Sequence, residues 1–302
     1  MQLDLSDDQR VFFDALDTML NAPEAGFRAA AEWERFEWAA GLDAQLAENG
    51  YYDVGAEPDF GDVTAAELVF RLARLPVVVE CAASALLRPW LGVDVPRPLA
   101  VSTFEAALRF LPVARSVIRI EGGSVSMARL DAPVAPVESL FAYPMGRMPA
   151  APHWQPLDCD AAQIALRWRI ALAAEIAGNL SGALDSVLEH VRMRTQFGQP
   201  LGSFQGVQHR LAGASVKIEG ARFLALRAAQ TLDPTDAATA LGYAQSSSTA
   251  ICYDLHQFMG AMGLTLEHPL HRWTYRARAL RSGLGGAAGN LADAARQRWR
   301  AA

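Results

Sequence analysis

The stretch RTQFGQPLGSFQGVQHRLA, Arg194 to Ala212, decides how the rest of the chain is read. It carries an arginine near each end, Arg194 and Arg210, and the amides Gln196, Gln199, Gln205 and Gln208. A Gly-Gln-Pro turn at 198–200 and two spaced phenylalanines, Phe197 and Phe204, complete it. Long helical patterns lie on both sides. Upstream, Leu172, Ile176, Leu180, Leu184, Val187 and Val191 recur every three or four positions, which puts them on one helix face. Downstream, Val207, Leu211, Ile218 and Ala225 do the same. A plain helix connection needs only turn residues. The surplus of guanidinium and amide groups marks a loop that holds something.

Working outward, Asp233 is placed to cap a third helix with Pro234 at its first position, where a missing N–H costs nothing. That helix runs toward ICYDLHQFMGAMG, and a last helix follows Gly289. Residues 156–302 therefore predict a C-terminal four-helix bundle. Residues 1–95 read as an N-terminal helical domain. Ser6 and Gln9 stand at capping-box spacing, followed by a stripe of Phe12, Leu16 and Leu20. WERFEWAAGLDAQLAENGYYDVG continues helical to the stop signal Asn49-Gly50. VTAAELVFRLARLPVVVECAASALL gives one or two more helices, broken or bent at Pro76. Between them, residues 96–155 turn rich in proline and β-branched residues. Two alternating runs flank Gly122-Gly123, a hairpin signal, so this is a reduced β-domain too short for a complete barrel. The fold class is mainly α.

Composition narrows the function. The 302 residues are 51% hydrophobic and 20% charged, as in a globular chain, with net charge -6. No lysine or arginine run could neutralise a row of phosphates, which speaks against nucleic-acid binding. The acidic start MQLDLSDDQR is unlike a signal peptide, and the apolar stretches are interrupted short of a membrane span. Cys81, Cys159 and Cys252 are few and far apart, so neither a disulfide framework nor a metal site is expected. These features predict a cytoplasmic protein that neither binds metal nor enters a membrane.

The pattern R-x-Q-F-G-x-P-L-x-x-F-Q-x-V-Q-H-x-L-A resembles the C-terminal helical domain of the acyl-CoA dehydrogenase family. QFMGAMGLTLEHPLHRW, Gln257 to Trp273, looks like that family's Q-x-x-G-G-x-G segment, with Ala261 where a second glycine often stands. LSDDQRVFFDAL and LAENGYYDVG resemble its opening helices. The resemblance implies a flavoenzyme fold in which FAD bridges two subunits. It places Arg194, Gln196, Phe197, Phe204 and Gln205, with Gln257, Gly260 and Gly263, against the adenosine and pyrophosphate half of a neighbour's flavin. The chemistry suits that role: guanidinium grips phosphate, glycine lets backbone approach, and glutamine both donates and accepts. Capping and joining the helices is the alternative use of these residues, and for Phe197, Pro200 and Leu201 it is a good one.

What the resemblance does not supply is a base. The family's glutamate removes an α-proton from an acyl thioester, and must reach that carbon directly. Its two known positions are occupied here by Leu284 and Trp168, and neither can take a proton. Glu175 lies seven residues beyond Trp168, about 10 Å along a helix. Glu189 and Glu219 fit solvated faces, and Glu267 a structural place near Pro269. No catalytic residue is therefore assigned. The Thr-Glu-Pro and Trp-(Ile/Val)-(Ser/Thr) segments that lie against the flavin ring and thioester are also missing between Asp94 and Asp160. Groups for the chain's own site are lost, while groups contributed to a neighbour remain. The expectation is a partner subunit of a hetero-oligomeric acyl-CoA dehydrogenase, a heterotetramer of the steroid side-chain type. FAD would be shared with a catalytic subunit that binds the acyl-CoA, and an electron-transfer protein is a further implied partner. A homo-oligomeric dehydrogenase with a relocated base and a non-enzymatic helical scaffold remain as alternatives.

Overall fold

A computed structural model describes residues 5–22, 34–103, 107–149 and 152–300. The N-terminal part opens with α1, Asp7–Asn21. Its capping box forms as expected: the Ser6 hydroxyl accepts from the Gln9 N–H (3.2 Å) and Gln9 Oε1 accepts from the Ser6 N–H (2.9 Å). The buried stripe is Phe13, Leu16 and Leu20, with Phe12 half-buried beside it. Helix α2, Ala40–Glu48, stops before Gly50, whose φ of 74° only glycine adopts without strain. Helices α3, Gly61–Ala73, and α4, Ala82–Leu86, follow.

Two segments expected to be helical are extended. Residues 34–39 do not continue α2: Ala39 N–H donates to Val78 O (3.0 Å), Val78 N–H donates to Glu37 O (2.8 Å), and Trp38 packs edge-on against Phe110. Tertiary pairing overrides local helix propensity there. Trp33, at the head of that expectation, lies outside the described residues. The same pairing keeps Val77–Val79 out of a helix, so only residues 82–86 of the segment after Pro76 are helical.

The middle of the chain forms β1 (Leu99–Ser102), β2 (Leu108–Arg109), β3 (Ser116–Glu121), β4 (Ser124–Arg129), β5 (Met145–Gly146) and β6 (Gln155–Pro156). One sheet has the order β1-β3-β4-β6, with β1 parallel to β3 and the rest antiparallel. Strands β2 and β5 pair separately. The hairpin falls where the glycines predict: Glu121 pairs with Ser124 across Gly122 and Gly123, both at positive φ.

Helix α5, Ala161–Met193, starts at an Asp160 cap and runs 33 residues. All six members of its predicted stripe are buried. The short hairpin β7 (Thr195–Gln196) and β8 (Gln199–Pro200) leads into α6, Gln205–Thr231. Its turn is Phe197-Gly198, at φ 54° and 81°, one residue before the expected Gly-Gln-Pro turn. Helix α7, Pro234–Met259, is capped by Asp233 as read from the sequence. Helix α8, Leu270–Leu280, precedes α9, Gly286–Arg300. α9 begins four residues earlier than predicted, because Gly285 and Gly286 make the turn and Asn290 Nδ2 donates to Gly286 O (2.9 Å). Helices α5, α6, α7 and α9 form the bundle, and α3 packs on α5 and α6. One core cluster runs from Phe13 through α3 and α5 to Leu280.

Candidate functional site

The residues expected to meet a flavin gather at one end of the bundle. Arg194 caps α5, and its carbonyl accepts from the Leu201 N–H (2.8 Å), which closes the base of the hairpin. Arg194, Gln196, Phe197, Gln205, Gln257 and Gly260 are exposed. Phe197 sits at the hairpin tip, 90% exposed and in a left-handed conformation that bulky residues avoid. It meets half-buried Phe204 edge-on at 6.1 Å. Across the bundle end, Arg210 of α6 pairs with Asp254 of α7 and lies 5.0 Å over the Phe258 ring, which joins the start of α6 to the end of α7. Arg194 makes no ion pair among the described residues, unlike Arg210. Burial lowers the pKa of neighbouring His190, and the Arg194 charge adds to that. Met193 (70% exposed) and Leu264 (79%) add apolar surface to the same end.

Gly263 differs from the others. It is buried, and a Cβ there would stand 2.9 Å from Met259 Cβ. Its smallness serves packing within the chain rather than the approach of a ligand. Phe197 lies in the hairpin that joins α5 to α6, but its ring packs into no core.

Of the two positions where a base was sought, Trp168 lies in the interior and Leu284 at its edge. Trp168 is 6% exposed, and the Arg109 guanidinium stands 5.2 Å from its ring. Leu284 is half-buried at φ 52° against the main core. Glu175, on the same helix as Trp168, is buried, and its Oε1 accepts from Arg109 Nη1 (2.5 Å) and from the Tyr143 hydroxyl (2.8 Å). Burial works against the Arg109 charge, but Glu175 outweighs it and holds the guanidinium protonated. Burial, reinforced by Glu175, pushes the Tyr143 phenol well up. Buried Cys81 is likewise held as a thiol. Glu175 is committed to an internal ion pair, and Glu219 to Arg222. Sequence reading missed the Arg109 cluster because its members come from strand, loop and helix. Its only trace was a lone arginine in the apolar run AALRFLPV.

An FAD would find suitable groups at the exposed end: the Arg194 guanidinium, without an ion pair among the described residues, exposed amides and an aromatic tip match a pyrophosphate and an adenosine. Among the described residues no cluster of three or more His, Cys, Asp or Glu could hold a metal ion, and no helix is long and apolar enough to cross a membrane.

Fold and sequence together define the class: this chain has the acyl-CoA dehydrogenase fold. Residues 161–297, which span the helical bundle, match the family of the acyl-CoA dehydrogenase C-terminal domain. Acyl-CoA dehydrogenase IpdE2 of Mycobacterium tuberculosis is 39% identical over 109 residues, 36% of this chain and 34% of the relative. The matched stretch thus spans about a third of that relative's length. Among solved structures, the ChsE4-ChsE5 complex from Mycobacterium tuberculosis superposes with a TM-score of 0.73 at 20% identity, covering 99% of both chains. The Tcur3481-Tcur3483 steroid acyl-CoA dehydrogenase variant gives 0.70 at 22% identity, covering 97% of this chain and 96% of that one.

Proposed function

We propose that this chain is the non-catalytic subunit of a hetero-oligomeric acyl-CoA dehydrogenase, contributing the adenosine and pyrophosphate contacts of an FAD whose ring lies in the partner. One contrast carries the reading. The expected flavin contacts, apart from half-buried Phe204 and buried Gly263, stand exposed at the bundle end, while the two base positions are a buried indole and a half-buried leucine. The FAD supplies the hydride acceptor for α,β-desaturation of an acyl thioester. The α-proton goes to a glutamate of the partner. This chain's part is to grip: Arg194 on the pyrophosphate, Gln196, Gln205 and Gln257 on polar edges, Phe197 and Phe204 against the adenosine, and Gly260 at the turn that approaches it. The substrate is a bulky acyl-CoA, such as a steroid side-chain thioester. The likeness to two-protein complexes and to a steroid enzyme supports that choice.

The test is co-expression with a full-length catalytic relative. Purified alone, the chain is expected to be colourless and inactive; the pair should be yellow and turn over acyl-CoA. Arg194→Ala should weaken flavin retention by about ten- to a hundredfold, the worth of a charge-assisted bond. A colourless complex, or full flavin retention without Arg194, defeats the proposal.

A further inference from the structure

Helix α8 is tied to the N-terminal part through consecutive backbone carbonyls leaving α3. Arg74 O accepts from Trp273 Nε1 (2.9 Å) and Leu75 O from Arg276 Nη2 (2.6 Å). Pro76 O accepts from Arg272 Nη1 (3.3 Å) and Val77 O from Arg276 Nη1 (3.1 Å). The Trp273 indole also presses on α5: a Cβ on Gly182 would come within 2.5 Å of its Nε1. Few elements in the molecule are held by so many oriented bonds, and a helix fixed in this way can serve as a reference for what it touches next.

What it touches is the flavin-contacting segment. Buried Thr274 Oγ1 shares a hydrogen bond with His256 Nε2 (3.0 Å) and also stands within hydrogen-bond reach of Leu270 O (3.2 Å). With the hydroxyl donating to Leu270 O, the proton of His256 is on Nε2 and Nδ1 is bare. Nδ1 is buried without a hydrogen-bond partner, and the backbone of Gly263 faces it: a Cβ there would stand 3.4 Å away. The turn 260–264 is therefore folded down onto the His256 ring on one side. On the other, His256 is the immediate neighbour of Gln257. Burial keeps the imidazole pKa below the usual value, consistent with the neutral tautomer that this geometry needs.

We infer that His256 and Thr274 are positioning residues: the bond between them lets α8 set where Gln257 and the 260–264 turn stand, and hence how well this chain grips a partner's flavin. The inference rests on the flavin-contacting role proposed above. Thr274→Val removes the acceptor and keeps the shape. In the assembled, flavin-loaded complex it should speed flavin dissociation about tenfold, the worth of one oriented bond. Thr239→Val serves as control, since it also removes a hydroxyl bonded to a helix carbonyl, Thr235 O, at the other end of α7; it should leave flavin dissociation unchanged. His256→Gln, whose amide can donate to Thr274 in place of Nε2, should retain flavin better than His256→Ala. If Thr274→Val lowers the Tm yet leaves the flavin off-rate at the wild-type value, the pair is structural only and the inference is overturned. If Thr274→Val prevents assembly, the His256→Gln and His256→Ala comparison decides, and equal off-rates for those two overturn it. Arg194→Ala, run alongside, separates the two claims: a silent Arg194 removes the flavin-contacting role itself, whereas a responsive Arg194 with a silent Thr274 removes only the positioning.

Discussion

Glu80 shows what a single side chain does to this fold. It is buried and accepts from Ala83 N–H (3.2 Å), Ser84 N–H (3.2 Å), the Ser84 hydroxyl and Leu99 N–H (3.0 Å). Arg97 bridges it to Asp43. Burial dominates these bonds and raises its pKa from 4.5 to about 7. The folded chain thus binds this proton more tightly than the unfolded one. The stabilisation is fully present below pH 4.5 and is lost as pH rises through about 7. Denaturant titrations should show stability falling by up to about 3 kcal/mol over that range, and Glu80→Gln should flatten the fall; parallel curves for the two proteins would refute the assignment. Nothing in PVVVECAASALL announces this. Its partners Asp43, Arg97 and Leu99 come from two other segments, and only the folded chain brings them to one carboxylate.

At the scale of elements, α3 and α5 approach so closely that side chains are excluded. A Cβ on Gly178 would lie 2.2 Å from Phe70 O and 2.8 Å from Ala73 Cβ. Gly178→Ala should cost about 3 kcal/mol or more, since backbone cannot give way as a side-chain end can; a Tm near wild type would contradict that packing. The other tie is ionic. Glu67 of α3 accepts from Arg71 (2.9 Å) and from both Arg222 Nε and Nη2 of α6 (2.9 and 2.8 Å). Glu67→Gln should destabilise by about 1–3 kcal/mol, toward the lower end because both arginines retain some exposure. Thermal denaturation of the isolated chain measures it. Helix ends were the most legible part of the sequence, because caps are local: Ser6 and Asp233 each act on residues two or three positions away. The Trp38–Val78 bridge, the hairpin turn at Phe197 and the start of α9 were not, since each depends on contacts or backbone angles that residue type alone does not fix.

For the whole molecule, the candidate site was legible as a list of residues but not as an arrangement. The loop 194–205 and the segment 257–263 announce themselves by residue type. That they share one bundle end, with Gly263 turned inward, follows from α6 and α7 running antiparallel. The interior tells the complementary half: Trp168 and the Arg109–Glu175 pair are buried and Leu284 is half-buried against the core, which supports the proposed division of one activity between two chains.

The hairpin tip carries a consequence for the cell. Phe197, Met193 and Leu264 present oil to water near that end of the bundle. Left uncovered, such side chains favour burial against another surface, by self-association or on a chaperone. Under the proposed pairing, balanced synthesis of the two polypeptides would then be a condition of keeping this one in solution.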